Sequence, residues 1–513
     1  MCVCCILRHV ERRAWPFTAR SAALRLFVTC WMIYILHSAT NIVREHYLAL
    51  AVGDHLSFRV DEYQGLHDDL FETPGRGWHI NNNPGVSIMA ALPYAVLRPL
   101  IDVIVTRVER ARAASGRRDP PEYASPWPNS RVFFAEAWRR GLDAKFGLAA
   151  MAIQAGFMAP VSALAVVGMF LVLRRLFGSD RLGLWLAVLF AFGTPVFFRT
   201  GFLNHNLLVG YAAAAGFVAL WNPGRPDAPH ATGRFALAGL AGGTAVLLDY
   251  TGIVMLAGLF GYGLARLSFD GRTRDWRRFI TRFAAGAAGP LALLWFYQWA
   301  SFGDPFAPAQ RWMPAVAWAD SGYRGLSFPM PDLLLATLFD YRYGLFTSAP
   351  LVLLAFAAPW VDRGRLLPRR EIWFMLALFA AFWLFCGSVN YGRLQYNTGI
   401  RYMTSMMPFL FVLSAVVLVR LPRGVTCTLV VVSVTLSWCL AMHRDVERGL
   451  GVLDPVLHVF IGGFELPVLT TLSRVRDGVS EFVARGVSPL PLFALAASLL
   501  YGVWRYPAVL RSD

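Results

Sequence analysis

Long apolar runs recur along the chain, separated by short polar connections. A membrane-crossing helix needs about 20 mostly apolar residues. Twelve runs approach that length: 21–39, 146–173, 182–198, 207–221, 235–248, 251–267, 283–300, 344–361, 372–389, 405–420, 425–441 and 489–504. The pattern predicts an all-α fold, a polytopic membrane helical bundle of about 12 transmembrane helices. No internal repeat or low-complexity tract interrupts it.

Arginine in the short connections sets an orientation, because short cytoplasmic loops are enriched in positive charge. With the N-terminus inside (Arg8, Arg12, Arg13, Arg20), the connections Arg174–Arg181, Arg266–Arg282, Arg363–Arg370 and Arg420–Arg423 all face the cytoplasm. The long segments 40–145, 301–343, 390–404 and 442–488 then fall on the other side. The run 86–105 is apolar enough to span, but a span there would turn all four arginine loops outward. It is therefore expected to be an interfacial helix in the first extracytoplasmic loop, with Pro93 and Pro99 making it a poor straight span.

Composition agrees. Charged residues are only 16% of the chain and hydrophobic residues 56%, against about 25% charge in a soluble domain. The net charge of +16 does not point to nucleic acid, because the basic residues are scattered through loops rather than gathered in a stripe. All are arginine except Lys145. The seven cysteines (2, 4, 5, 30, 386, 427 and 439) lie in apolar runs or at the N-terminus, and no disulfide framework is expected. The chain divides into a transmembrane module over 1–441 and, over 442–513, an extracytoplasmic loop plus a last transmembrane helix. The apolar stretch Val452–Leu472 in that loop is expected to lie on the membrane or partly re-enter it.

The candidate chemistry lies in the first long loop, 40–145. Asp61, Glu62, Asp68 and Asp69 place four carboxylates within nine residues beside a membrane surface, where charge is costly to keep without a use. In a helix, Asp61 and Asp68 would share one face and Glu62 and Asp69 another. Such groups suit proton abstraction from an attacking hydroxyl, or a divalent cation held through oxygen. Downstream, Trp78-His79-Ile80-Asn81-Asn82-Asn83-Pro84-Gly85 offers amides for sugar hydroxyls or phosphate and a turn into the 86–105 helix.

An Asp-Glu pair after the first transmembrane helix, then a Pro-containing turn into a membrane-hugging helix, resembles the GT-C superfamily of polytopic glycosyltransferases. Its bacterial members include the aminoarabinose transferase of lipid A and the protein O-mannosyltransferases. Tyr343-Gly344-Leu345-Phe346 with Pro350, and Gly399-Ile400-Arg401-Tyr402 with Pro408-Phe409, are similar to two later patterns of bacterial members. The resemblance covers roughly residues 20–420. It implies an inverting transferase in a bacterial plasma membrane, moving a sugar from a polyprenyl-phosphate carrier to an acceptor hydroxyl on a lipid, glycan or protein at the extracytoplasmic face. Asp61 is the implied general base, Glu62 its partner or replacement, with Asp68 and Asp69 next.

A phosphate leaving group calls for arginine, whose planar fork grips phosphate oxygens in pairs. The candidates on the extracytoplasmic side are Arg311, Arg324, Arg342, Arg393 and Arg401, with Arg401, Arg324 and Arg342 favoured beside the family-like segments. Tyr343, Tyr391, Tyr396 and Tyr402 could stack on a sugar. His79, Asn82, Asn83 and His205, the last within Asn204-His205-Asn206, complete the expected substrate-binding set; Asp249-Tyr250 reads as an outer turn. No phosphate-binding loop, dinucleotide fingerprint or His/Cys metal cluster stands out, so no cofactor is expected beyond a possible divalent cation. A transporter or flippase, or a noncatalytic scaffold of the same fold, are the competing readings. The near absence of acids within the spans disfavours transport.

Overall fold

The computed structural model of the chain describes residues 17–223, 232–314, 322, 325–390, 399–443, 450–476 and 486–505. Among these the protein is helical apart from one hairpin of β1 (Leu70–Thr73) and β2 (Gly77–Ile80), paired antiparallel with Leu70 opposite Ile80. Helix α1 (Ala19–Leu36) is followed by α2 (Arg44–His55), the hairpin, α3 (Gly85–Ser115) and α4 (Pro128–Arg139). A long helix α5 (Asp143–Phe177) passes through a π-turn at Gln154–Met158. Next come α6 (Asp180–Phe192), the short α7 (Val196–Thr200), α8 (His205–Trp221), α9 (Thr232–Leu248), α10 (Gly252–Phe269) and α11 (Trp276–Phe302). The last part holds α12 (Pro331–Phe339), α13 (Pro350–Val361), α14 (Arg369–Gly387), α15 (Tyr402–Leu418), α16 (Arg423–Met442), α17 (Leu453–Gly462), α18 (Pro467–Ser473) and α19 (Leu490–Arg505).

Seven described helices are long and apolar enough to cross a membrane: α1, α3, α5, α10, α11 (counted from Thr273), α14 and α16. The chain is thus an all-α, multi-pass type of protein, and among the described residues seven of its helices reach this length, against the expected twelve spans. Five expected spans correspond to shorter apolar helices, α8, α9, α13, α15 and α19. The expected span 182–198 is two pieces, since Pro195 follows the end of α6. The stretch from Val452 is α17 and α18, bent by 70° at their junction, a geometry of a broken span or a re-entrant segment.

Charge separates the two ends of the bundle. At one end Arg174 pairs with Asp180 at 2.8 Å, Arg370 with Asp270 at 2.7 Å, and Arg420 with Asp362 at 2.6 Å. Arg266, 2% exposed, donates to the Trp221 carbonyl at 2.6 Å. Three of the four arginine loops identified in sequence, 266–282, 363–370 and 420–423, are thereby joined at one end. The opposite, loop end carries 37–80, 201–205 and 249, tied by Ala39 N–H to the Gly201 carbonyl and by His205 to both Glu45 and Asp249.

Helix α3 is continuous through Pro93 and Pro99. Its start is held where Asn83 Nδ2 donates to the Val246 carbonyl at 2.6 Å, near the loop-end terminus of α9. Its far end is held by Arg112, which grips Asp143 at the first residue of α5 with bonds of 2.8 and 2.5 Å. The early turns of α5 also belong to the loop end: Gln154 Nε2 donates to the Thr200 carbonyl and Trp31 Nε1 to that of Ala155. Both ties join α3 to loop-end residues of neighbouring helices, and its length and apolar composition are also those of a membrane span. Leu92, Val96, Leu100 and Val103 form an exposed apolar stripe at helical spacing, as a membrane-surface helix requires.

Cysteines Cys30, Cys386 and Cys439 are free and buried.

Helices α9 and α11 pack through glycine. A Cβ at Gly239 would lie 1.9 Å from the Phe283 carbonyl oxygen, and one at Gly286 2.0 Å from that of Ala236. Backbones meet this closely only where small residues line the contact. Replacing Gly239 with Val is expected to lower the unfolding temperature in detergent by several degrees. Gly289→Ala, whose added methyl meets nothing within 4 Å, is expected to leave it unchanged or raised.

Candidate functional site

Residue types at the loop end decide which side chains gather. Helix α2 begins directly after the turn that leaves α1, so its first two residues, Arg44 and Glu45, point into the bundle. Glu45 is 3% exposed. Its Oε1 accepts from Asn82 Nδ2 at 2.7 Å and lies 2.9 Å from His205 Nδ1. An ionised carboxylate only accepts, so that imidazole nitrogen carries its proton toward Glu45. The other ring nitrogen faces Asp249 Oδ2 at 3.7 Å. Burial pushes the Glu45 carboxyl upward, but the Arg44 guanidinium and His205 outweigh it and hold the carboxyl well below its usual range.

Arg44 Nη1 donates to Asp69 Oδ2 at 2.5 Å, and Asn81 Nδ2 to Asp69 Oδ1 at 2.7 Å. Burial again opposes ionisation of Asp69, and the nearby Arg44 charge again prevails, lowering its pKa. Each Asp69 oxygen keeps a second lone pair. Its side chain is 24% exposed, against 4% for Glu45.

These groups face a cavity of about 1960 Å³. Its polar floor includes Arg44, Asp69, His205, Asn206 and Arg401; its apolar wall includes Ile104 and Val108 of α3, Phe133 of α4 and Leu472 of α18. Asn206 is fully buried, and neither its amide nitrogen nor its oxygen has a hydrogen-bond partner among the described residues. An unpaired buried amide costs about 1–3 kcal/mol, which makes this side chain a ready contact for a polar ligand.

Arg401 reaches the floor because its own turn is clamped. Arg199, 1% exposed, donates from Nε to the Ile400 carbonyl at 2.5 Å and from Nη2 to that of Gly399 at 2.6 Å. Gly399 has φ +84°, which favours glycine, and its N–H donates to the Arg342 carbonyl. Ile400 N–H donates to Ser348 Oγ at 3.0 Å. The two segments singled out in sequence, 343–350 and 399–409, thus adjoin.

The predicted residues separate into two groups. Asp68, Asp69, His205 and Arg401 line the cavity. Asp61 and Glu62 do not: Asp61 pairs with Arg59 at 2.6 Å and accepts from Trp78 N–H at 2.7 Å, and Glu62 is exposed. The acidic run is no helix. Only Asp61–Tyr63 form a 3-10 turn, and Gly65 at φ +77° ends it, so Asp61 and Asp68 share no helical face. His79 is buried on β2 against Phe302, with ring centroids 5.3 Å apart. Asn82 and Asn83 are spent on Glu45 and Val246. Arg342 pairs with Asp340 at 3.4 Å, and Arg311 with Asp304 at 3.5 Å. Arg342, Tyr343 and Tyr402 are not among the lining residues, although Tyr402 underlies the Arg401 guanidinium at 5.1 Å. Arg324, Arg393, Tyr391 and Tyr396 lie outside the described residues.

Sequence reasoning passed over Arg44, Glu45 and Arg199. The signal for the first two was present: an Arg-Glu pair one short turn beyond the first apolar run. Arg199 sits at the end of an apolar run, where nothing local distinguishes it from an interfacial arginine.

With this geometry described, the chain was compared with protein-family models, curated proteins and solved structures, and none of the three gives a match.

Two buried histidines and the partly buried His67 make the first loop sensitive to acid. Burial lowers His46 and His79 to about 4 and lowers His67 as well. Between pH 6.5 and 4 the unfolded chain binds protons that the folded loop refuses, so stability falls as pH falls through that window. Amide exchange over 44–80 is expected to quicken as pH drops from 6.5 to 4, after correction for the intrinsic rate. His79→Phe is expected to flatten part of that dependence.

Proposed function

We propose that the chain is a membrane glycosyltransferase that takes a sugar from a polyprenyl-phosphate carrier and passes it to an acceptor hydroxyl with inversion. The observation that carries this reading is the cavity: a floor of paired acids and arginines under an apolar wall, the lining a glycosyl phosphate on a long lipid would need. The arginine loops gather at the other end, so by the charge rule this cavity opens extracytoplasmically, in the plasma membrane of a bacterium.

In this reading Asp69 takes the role that the resemblance gave to Asp61, because Asp69 faces the cavity and Asp61 does not. Its carboxylate accepts the acceptor hydroxyl proton as the new bond forms at the sugar's anomeric carbon. The bond from that carbon to the phosphate oxygen breaks, and Arg401 binds the departing phosphate. Arg44 keeps Asp69 ionised and aimed. Glu45 sets the orientation of His205 beneath the sugar, and Asn206 offers both a donor and an acceptor to its hydroxyls. A low carboxyl pKa makes a weak base, so leaving-group stabilisation carries much of the rate.

The test is transfer from radiolabelled polyprenyl-phosphate sugars in membranes that express each variant at equal level. Asp69→Asn is expected to lower transfer by 10²–10⁴-fold and Arg401→Ala to weaken it at least tenfold, while Asp61→Asn stays within threefold of the parent. Loss of transfer in Asp61→Asn with full activity in Asp69→Asn would return the base to Asp61. Movement of unaltered lipid across vesicles without transfer would replace this reading with a flippase.

A further inference from the structure

The loop end holds a second cluster of ligating side chains, away from the acid-arginine floor. His443 directly follows α16, His458 lies on α17, and Glu465 sits in the linker where α17 and α18 bend by 70°. Glu465 Oε1 contacts His443 Nδ1, and its Oε2 lies 3.5 Å from His458 Nε2. The two imidazoles stack with centroids 4.0 Å apart. One ligand atom from each of the three residues falls within 4.8 Å of the other two. Thr470 Oγ1 stands 3.5 Å from Glu465 Oε2 and can orient the carboxylate from behind.

We propose that His443, His458 and Glu465 bind a divalent cation of the zinc class. Two imidazole nitrogens and one carboxylate oxygen are a recurring three-ligand set for zinc, which leaves a fourth position to water. Hard cations such as calcium or magnesium are poorly served by nitrogen. Ligands about 2.0–2.2 Å from a tetrahedral zinc stand roughly 3.3–3.5 Å from one another. The present spacing reaches that by side-chain rotation, since His458 is 47% exposed and free to swing. The second three-residue group among the described residues, Asp54, His55 and Glu62, is a poorer host. Asp54 there is already held by Lys145 at 2.8 Å, Arg98 at 3.1 Å and the Tyr94 hydroxyl at 2.9 Å.

The site's consequence is mechanical. A bound ion would lock the α17–α18 bend onto the end of α16. Helix α18 supplies Val468, Thr471 and Leu472 to the cavity wall, so the ion would fix one wall of that chamber. The inference does not depend on the transferase reading.

The experiment uses the full chain in detergent, stripped with a chelator, passed through gel filtration, and exposed to zinc alone. Metal content and unfolding temperature are read for the parent, His458→Gln, Glu465→Gln and, as a control, His55→Gln. The parent and the His55 variant are expected to retain one zinc per chain and to unfold at higher temperature with zinc. His458→Gln and Glu465→Gln are expected to bind at least tenfold more weakly and to show no zinc-dependent rise. Position 458 is half exposed and 465→Gln keeps the side chain's shape, so both variants should fold. Equal zinc retention and equal thermal response in all four proteins would overturn the proposal, as would a parent that holds no zinc.

Discussion

The loop end is organised around a single buried carboxylate. Glu45 is almost sealed from solvent, and an ion in that position costs several kcal/mol unless it is closely paired. Its partners come from three places along the chain: Arg44 beside it, Asn82 at the start of α3, and His205 at the start of α8. Arg44 continues to Asp69, and His205 to Asp249. Removing the carboxylate would leave a guanidinium and an imidazole with part of their pairing gone. The segments 44–45, 81–83, 205–206 and 249 are therefore held as one unit, and the cavity floor exists because they are.

Much of the fold was legible because a membrane enforces it. Lipid leaves helices as the main way to satisfy a backbone, so apolar run length translates into structure with little ambiguity. The arginine loops were legible for the same reason, and ion pairs such as Arg370–Asp270 and Arg420–Asp362 join them as expected of one face. Counting spans was harder. Helices α8, α13 and α15 have fewer than 18 residues, so apolar run length alone does not decide whether each crosses.

The cavity lining was legible only in part, for a physical reason. Reading four acids within nine residues as one functional cluster assumed a helix, in which spacing fixes direction. The chain instead turns at Gly65 and enters a hairpin. Asp61 then faces Arg59 outside the cavity, while Asp69 turns toward Arg44. Local density of charge marked a loop that reaches the cavity but not which of its acids faces it. Glu45 escaped notice because a lone acid beside an arginine reads as a surface pair. Only the approach of His205, 160 residues away, reveals it as buried.

The positive side of the cavity rests on a different device. Arg199 is sealed behind the floor and bonded to two carbonyl oxygens. Among the described residues no carboxylate forms an ion pair with it. Carbonyl dipoles solvate a guanidinium but do not cancel its charge. Arg199 therefore adds its field to that of Arg401, which its own bonds hold at the cavity. In the proposed transferase, that added field favours a phosphate at Arg401 over a neutral sugar alone. The clamp thus fixes where Arg401 stands, and it does so because Arg199 sits where backbone carbonyls answer it.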